Sequence, residues 1–585
     1  MTDVLLINGL DLLNSSTPSP YIGHYILEKI LKENGIDVKQ INVDAERKAG
    51  RLHLSEDPDT MLNELADVII AQKPKIAGFY TICNSFITVV QISMRLHDRA
   101  PDIKIIYGGP HATITAKECL RDLEFLKLVC LGESEYSITP VIQALLNELP
   151  LDNVPGIAYR KDGEIVSNPC CALVSADQLA DYTVIDYGEG FRSASVPHTM
   201  EGGRGCPFGC SFCSTSMFWQ RTFRVKPVDT LLEEMDKCHE TLGSVSFAIE
   251  HDMFTANRKH ITEFCNKLIQ RGSPYYWKCS SRVDVLDEEL IELMAKAGCF
   301  AVFLGIETGS ERMQKTVHKN LDLANAAQLT KCLLKNKYKV TASFIYGFPD
   351  ETEDDFIQTV QLMEQLLIAG VDNLQFHPFM LLPGTEETAK VKDRAVFNER
   401  DVDISIYNRK VINEESRELI RKYKDIFIQY YSFSSVVKSK YPWFEIIFVL
   451  ASFQWNFFKN TFKALAKNIG LLNIYLKYEP IFKDVYFQFN ELDYSDELPY
   501  LTRDSLQKIV MSEDNDEINE VFRYENDLFD FAVKNKEESK IVNYRLDIDI
   551  KKDLCVYSPE GRSYVIKRNE NTKISVFPVP EWMKT

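Results

Sequence analysis

Arg204-Gly205-Cys206-Pro207-Phe208-Gly209-Cys210-Ser211-Phe212-Cys213 is the most informative stretch of this 585-residue chain. Its cysteines are spaced C-x3-C-x2-C, and Gly205 and Gly209 let the backbone wrap tightly between them. Three thiolates on one short loop can hold three irons of a 4Fe–4S cluster and leave the fourth iron open to a substrate or cofactor. A zinc site is the competing reading. Zinc usually takes a fourth ligand, often from a second C-x2-C pair, and the sequence has no second pair.

Working outward, the rest of the chain frames that loop. A chain of this length predicts three or four domains with ample sequence for a core. The net charge of −18 argues against a general affinity for nucleic-acid backbones, which requires a basic surface. The chain has 14 cysteines, and those beyond the trio are scattered and read as single buried thiols, Cys265, Cys299 and Cys332 among them. The opening Met-Thr-Asp-Val-Leu-Leu-Ile is too short an apolar run, without a basic flank, for a signal peptide. The expected setting is a reducing, low-oxygen cytoplasm.

On the carboxyl side of the loop, residues 198–395 alternate strand and helix signals. Expected strands are one entering Gly202-Gly203-Arg204, then Ser244–Ile249, Tyr276–Ser280, Phe300–Leu304, Lys339–Tyr346 and Asn373–Phe379. Helical segments such as Arg258–Arg271 and Ala324–Asn336 separate them. Every strand ends in a motif: Glu250-His251-Asp252, Ser281-Arg282-Val283-Asp284, Gly305-Ile306-Glu307, Gly347-Phe348-Pro349, Leu382-Pro383-Gly384. Functional residues at the carboxyl ends of parallel strands are the logic of a barrel.

Residues 1–150 also alternate, with strands expected at Val4–Asn8, Lys75–Tyr80, Ile103–Tyr107 and Leu128–Leu131 and a helix at Pro20–Gly35. This predicts a doubly wound parallel sheet with its ligand at the carboxyl ends of the strands. Residues 151–197 read as a connector containing a hairpin, Gly156–Tyr159 and Glu164–Val166.

The cysteine loop, with Phe212 before its last cysteine, resembles the radical SAM superfamily, and the resemblance covers the whole of residues 198–395. It implies an open six-stranded partial barrel in which the free iron chelates S-adenosylmethionine. It also implies contacts to that cofactor: Glu250 or Asp252 to the ammonium, Arg282 to the carboxylate, Ser280 and Glu307 to the ribose or the methionyl end. The Tyr346–Phe348 backbone, beside Phe212, would edge the adenine. Relatives often show two aspartates where this chain has His251-Asp252.

Residues 1–150 resemble the cobalamin-binding domain that precedes many radical SAM enzymes. Ser19-Pro20-Tyr21-Ile22-Gly23 looks like its opening, Gly108-Gly109-Pro110-His111-Ala112-Thr113 its double-glycine turn, and Gly132-Glu133-Ser134-Glu135 its later turn. The implied contacts are Thr81, Asn84, Gly108, Gly109, His111, Gly132 and Glu133. The D-x-H-x-x-G motif for a lower axial histidine is absent, so no histidine is expected below the cobalt.

Residues 396–585 read as an extension that selects substrate or covers the active site. Glu414–Tyr431 and Asp514–Lys540 read as helices, and Tyr544–Ile550, Leu554–Tyr557 and Ser563–Lys567 as short strands. The apolar run from Trp443 to Phe458 is interrupted by Glu445, Gln454 and Asn456, and reads as a buried helix rather than a membrane span.

The fold class is therefore α/β: a Rossmann-like sheet, a partial barrel and a mixed α+β extension. The implied enzyme cleaves S-adenosylmethionine to a 5′-deoxyadenosyl radical and transfers a methyl group from methylcobalamin to an unactivated carbon. The alternatives are cyclisation, rearrangement or other hydrogen abstraction, with or without cobalamin, and a cofactor sensor or carrier without turnover. A methylthiotransferase is disfavoured, because Cys83, Cys119 and Cys130 form no tight loop and the C-terminal part is not basic. Expected partners are a small-metabolite, peptide or lipid substrate and an electron donor such as flavodoxin or ferredoxin, with no nucleic acid.

Overall fold

The computed structural model describes residues 2–12, 19–192, 196–272, 274–398, 413–447, 458–492 and 498–534, with short strands at 555–558, 561–567 and 574–576. Two parallel sheets organise it. The first contains β1 (Thr2–Asn8), β2 (Val38–Asn42), β3 (Pro74–Tyr80), β4 (Lys104–Gly108), β5 (Leu126–Cys130), β6 (Ile157–Lys161) and β7 (Glu164–Ser167), in the order β2-β1-β3-β4-β5-β6-β7. β1 to β5 run parallel, and the order reverses between β1 and β3.

Side-chain alternation explains why β1 lies at the centre of the helical layers. Leu5 and Ile7 enter one core with helices Pro58–Ala71 and Phe86–Arg99. Val4 and Leu6 enter another with helices Ile22–Glu33 and Ile138–Leu146. A strand covered on both faces needs an unbroken apolar run, which is what the sequence supplies there.

Two features of this sheet depart from the sequence reading. β2 was not among the expected strands, because its Val-Lys-Gln-Ile-Asn is a polar edge paired on one side only. The hairpin assigned to the connector is instead part of the sheet: β6 pairs antiparallel with β5, and β7 with β6.

The second sheet is built from β8 (His198–Glu201), then a ribbon of β9 (Gly203–Gly205) and β10 (Phe223–Val225), and then β11 (Ser246–Glu250), β12 (Tyr276–Ser281), β13 (Cys299–Glu307), β14 (Lys339–Tyr346) and β15 (Asn373–Pro378). Six of these form one all-parallel sheet, β15-β14-β13-β12-β11-β8. Four of its crossover helices start on side-chain caps: Asn257, Asp287, Asp322 and Thr352 each accept from a backbone N–H of the first turn.

The two faces of this sheet differ sharply. Phe247, Ile249, Trp277, Val302, Leu304, Val340, Ala342, Phe344, Leu374 and Phe376 are buried in a core shared with the helices. The alternate positions Lys278, Ser280, Phe303, Thr341, Gln375 and His377 remain accessible, and so does Glu250 at the end of β11. One face is a floor for helices, and the other is left accessible.

The C-terminal extension packs on the helical side of this sheet. Helices Lys459–Ile469 and Leu471–Leu492 place Phe462, Leu465, Ile474 and Tyr475 in the shared core. The apolar run enters it too, through Phe444, Ile446 and Ile447, while its residues 448–457 lie outside the described residues. The helix expected over Glu414–Tyr431 spans only Glu414–Lys422. Beyond it, Ile426 and Phe427 are drawn into the core of the first sheet, which the straight course of a helix would not allow. The later helix spans Asp516–Lys534, and two of the expected short strands occur as Cys555–Ser558 and Gly561–Lys567. Residues 544–550 lie outside the described residues. No described helix is long and apolar enough to cross a membrane.

Candidate active site

The cysteine loop leaves the β9–β10 ribbon at Gly205, whose backbone takes φ +85°. A Cβ there would lie 2.2 Å from the Thr222 carbonyl oxygen, so only glycine lets the ribbon close beneath Cys206. Cys206, Cys210 and Cys213 are all free and half-buried. Burial pushes the Cys206 thiol up to about 11, with the neighbouring Cys213 and Asp252 adding to the effect. Burial raises Cys210 as well, opposed by the Lys319 and Arg282 cations, which favour its thiolate.

Among the described residues no three His, Cys, Asp or Glu side chains close on a single metal-ion position. A 4Fe–4S cluster makes a different demand, because each cysteine binds a separate iron. Three half-buried thiols on one loop, with two cations beside them, fit that donor chemistry.

Arg282 is buried against the loop rather than set on the accessible face of the sheet. Its guanidinium stacks over Phe208 at 3.8 Å and forks onto Asp284 at 2.8 and 2.9 Å. It also donates to the Lys319 carbonyl at 2.7 Å and towards the Cys210 sulfur at 3.7 Å. A guanidinium with these partners braces the loop.

Glu307 is a non-glycine residue at φ +70°, where the β13–β14 register shifts, and it pairs with Lys319 at 3.0 Å. Strained backbone of this kind at a strand end is the sort that collects at functional sites. Glu250 and Lys278 both stand on the accessible face; desolvation by the surrounding protein raises the first and lowers the second, and each opposes the other's shift. Asp252 is raised by burial, against hydrogen bonds from the Gly205 backbone and Trp219.

His251 has a structural task. Its Nδ1 accepts from Met253 N–H at 2.7 Å, which leaves Nε2–H to donate to Arg224 O at 3.1 Å. Phe212 meets Phe348 edge-on at 5.7 Å, while Tyr346 is stacked on Phe376 at 4.5 Å and bonded to Glu445 at 3.1 Å. The structure thus brings Phe212, Glu250, Asp252, Ser280, Arg282 and Glu307 to the strand ends around the loop. It holds the Tyr346 ring in the core.

The expected cobalamin contacts sit at the carboxyl ends of β3, β4 and β5. Thr81 is buried and staples the double-glycine turn: its Oγ1 donates to Gly108 O at 2.8 Å and accepts from Ala112 N–H at 3.0 Å. Gly109, at φ +98°, has no room for a Cβ, which would lie 2.7 Å from Thr81 O. Asn84 donates to Asp11 at 2.9 Å, and Gly132 N–H donates to Thr113 Oγ1 at 3.2 Å. A glycine-lined edge at a switch point is the place where a large ligand can approach backbone.

His111 and Glu133 are engaged as well. The His111 ring is buried, with Nε2 on Ile426 O at 2.9 Å, Nδ1 near the Cys83 sulfur at 3.5 Å and Phe86 at 4.1 Å. Glu133 is held by Arg204 and Arg224, both at 2.9 Å.

These two ligand edges face each other. A Cβ on Gly384, in the loop after β15, would touch both Met217, beyond the cysteine loop, at 2.7 Å and Ile114, beyond the double-glycine turn, at 3.0 Å. Sequence reading missed Lys278, Phe303, Thr341, Gln375 and His377. Their signal was the accessible side of each strand's alternation, legible only once the buried side is known.

Comparison with known proteins agrees with both halves. Residues 200–363 match the radical SAM superfamily, and residues 11–141 match the B12 binding domain. An uncharacterized methyltransferase of Pyrococcus horikoshii, PH0819, is 27% identical over 376 residues, covering 63% of this chain and 78% of its own. An anaerobic magnesium-protoporphyrin IX monomethyl ester cyclase of Rubrivivax gelatinosus is 27% identical over 322 residues. That match covers 52% of this chain and 57% of the cyclase, so the chain spans little more than half of it. Among solved structures, the cobalamin-dependent S-adenosylmethionine radical enzyme OxsB with aqua-cobalamin bound superposes with a TM-score of 0.56 at 16% identity. That superposition covers 90% of this chain and 84% of the other.

Proposed function

The chain joins a B12-binding domain to a radical SAM domain and so belongs to the radical SAM enzymes that carry a cobalamin-binding domain; from that premise we propose that it methylates an unactivated carbon of its substrate. The observation that carries this reading is the apposition of the two ligand edges, with Met217 and Ile114 meeting at Gly384. Methyl transfer requires both cofactors to reach one substrate carbon, and cofactor-bearing edges that face each other satisfy that requirement.

When bound, the cluster and S-adenosylmethionine supply hydrogen abstraction, and cobalamin supplies the methyl group; the protein supplies position and exclusion of water. Cys206, Cys210 and Cys213 would hold three irons. Arg282 and Lys319 offset the charge beside Cys210. Glu250 and Asp252 are accessible carboxylates available to an ammonium, and Ser280 on β12 is a partly accessible hydroxyl available to a ribose, with Glu307 on the neighbouring β13 held by Lys319. Asn84, Gly108, Gly109 and Gly132 would form the corrin-facing edge, with the buried Thr81 stapling it from behind. The half-exposed Phe303 and its accessible neighbours on the sheet would meet the substrate.

The same reading takes residues 198–395 as an open partial barrel and residues 1–150, extended by the hairpin to Ser167, as the cobalamin domain. It takes residues 396–585 as a brace and substrate-selecting cover. The setting is a reducing cytoplasm with a flavodoxin or ferredoxin as donor. The similarity to a cyclase favours one second reading, ring formation without methyl delivery.

The test is anaerobic reconstitution with iron, sulfide and hydroxocobalamin, desalting, reduction with S-adenosylmethionine, and assay of 5′-deoxyadenosine and S-adenosylhomocysteine. The expected outcome is retained cobalamin with both nucleosides formed, and loss of the iron–sulfur band and of 5′-deoxyadenosine in Cys206→Ala, Cys210→Ala and Cys213→Ala. A product without the mass of an added methyl group would replace methylation by cyclisation. Failure to retain cobalamin would sink both readings of the front domain.

A further inference from the structure

Between the two sheets lies a buried set of charges that the chemistry above does not use. Arg204, one residue before Gly205 in β9, is 5% exposed and is surrounded by carboxylates. Its guanidinium reaches Glu133 at 2.9 Å, Glu135 at 2.6 Å and Glu201 at 2.7 Å. Arg224, its cross-strand partner on β10, holds the other oxygen of Glu133 at 2.9 Å, and that oxygen also accepts from Val174 N–H at 2.8 Å. Lys226, 1% exposed, continues the set to Glu234 at 3.0 Å. Glu133 and Glu135 stand on the turn after β5 of the first sheet, and Arg204 stands two residues before Cys206.

We propose that Glu133 and Arg204 form an ionic joint that fixes the cobalamin-binding edge against the cysteine loop. Both are positioning residues, acting through the loop rather than touching a cofactor. The inference rests on the function proposed above and reassigns Glu133 within it. Three features carry it. Arg204 bridges two carboxylates of the front sheet and one at the end of β8 in the second, so its place is set from both sides. The backbone between Arg204 and Cys206 is pinned by the pairing of Gly205 with Phe223, so a displacement of Arg204 passes to Cys206. Charges this buried tolerate no partial separation, because each would be left without a counter-charge.

The test uses the full chain and two variants, Glu133→Gln, which keeps shape but removes charge, and Arg204→Lys, which keeps charge but loses the fork. Arg258→Gln, which removes an exposed ion pair elsewhere, is the control. Hydrogen exchange is measured first on the cofactor-free protein. Peptides over residues 132–137 and 200–213 are expected to exchange at least about tenfold faster in Glu133→Gln, with the rest of the chain unchanged. If Arg204→Lys does not fold, Glu133→Gln alone decides.

After reconstitution, Glu133→Gln should retain cobalamin and iron at parent stoichiometry. The distance between cob(II)alamin and the reduced cluster, read by pulsed electron paramagnetic resonance, should broaden from one narrow distribution. Unchanged exchange in Glu133→Gln would overturn the joint. So would loss of cobalamin from that variant without faster exchange over residues 200–213, which would make Glu133 a direct contact. A parent protein that retains neither cofactor would refute the proposed function, while the exchange experiment would still decide the joint.

Discussion

Replacing Gly205 by alanine tests how far the cysteine loop depends on backbone geometry rather than on its thiols. At φ +85° an L-residue is strained by about 1–2 kcal/mol. The new Cβ would also sit 2.2 Å from Thr222 O and 3.2 Å from Trp219 Cβ. The oxygen is backbone and cannot rotate away, so relief requires the strands to part, at about 1–3 kcal/mol for overpacking of this kind. The sum is about 2–5 kcal/mol. β9 and β10 pair over only three residues each, so opening the ribbon costs less than unfolding the sheet. Cys206 would leave its place while the core stays folded.

Gly243→Ala is the control, since Gly243 has φ +69° and nothing within 4 Å of its Cβ position. It isolates the strain without the collision. Iron and sulfide per chain after anaerobic reconstitution, and the urea midpoint, are measured for both. Gly205→Ala should lose most of its iron with a modest change in midpoint, and Gly243→Ala should keep its iron. Full iron in Gly205→Ala, with a stability within about 0.5 kcal/mol of Gly243→Ala, would refute the reasoning.

The two-faced second sheet predicts unequal costs for one chemical change. Phe344→Ala, at a fully buried position, should destabilise by about 3–5 kcal/mol, whereas Phe303→Ala, 38% exposed, should cost less than about 1 kcal/mol; thermal melts of the two variants decide it. Burial pushes His111 down to about 4. Unfolded, it protonates near pH ~6.5, so its stabilising contribution is complete above that value. It is lost as pH falls from there to about 4, by at most about 3 kcal/mol. Urea midpoints of the parent should therefore fall more steeply than those of His111→Asn as pH drops through this window. Parallel curves would remove His111 as the source.

Much of this protein was legible before any coordinates. The cysteine spacing marked a loop of three free thiols, and unbroken apolar runs such as Val-Leu-Leu-Ile in β1 marked strands covered on both faces. Local signals of this kind suffice because a buried parallel strand and a glycine turn each dictate their own residues.

What failed was whatever depends on a distant partner. The hairpin at Ile157–Lys161 and Glu164–Ser167 reads the same whether it stands free or extends a sheet; pairing with Leu128–Cys130 decided that. The helix from Glu414 ends early because Ile426 and Phe427 find a core made by the first sheet.

The sequence by itself determined which residues are candidates for chemistry: the three thiols, the glycine turns, and the carboxylates and arginine at strand ends. Only the tertiary structure decided which of them are free to act. Arg282 is held by Asp284 and Phe208, Glu133 by Arg204 and Arg224, and His111 by Ile426 O, while Glu250 stays accessible. The physical reason is that a charged or polar group can be spent only once, and its partner is chosen across space, by contacts that no local spacing records.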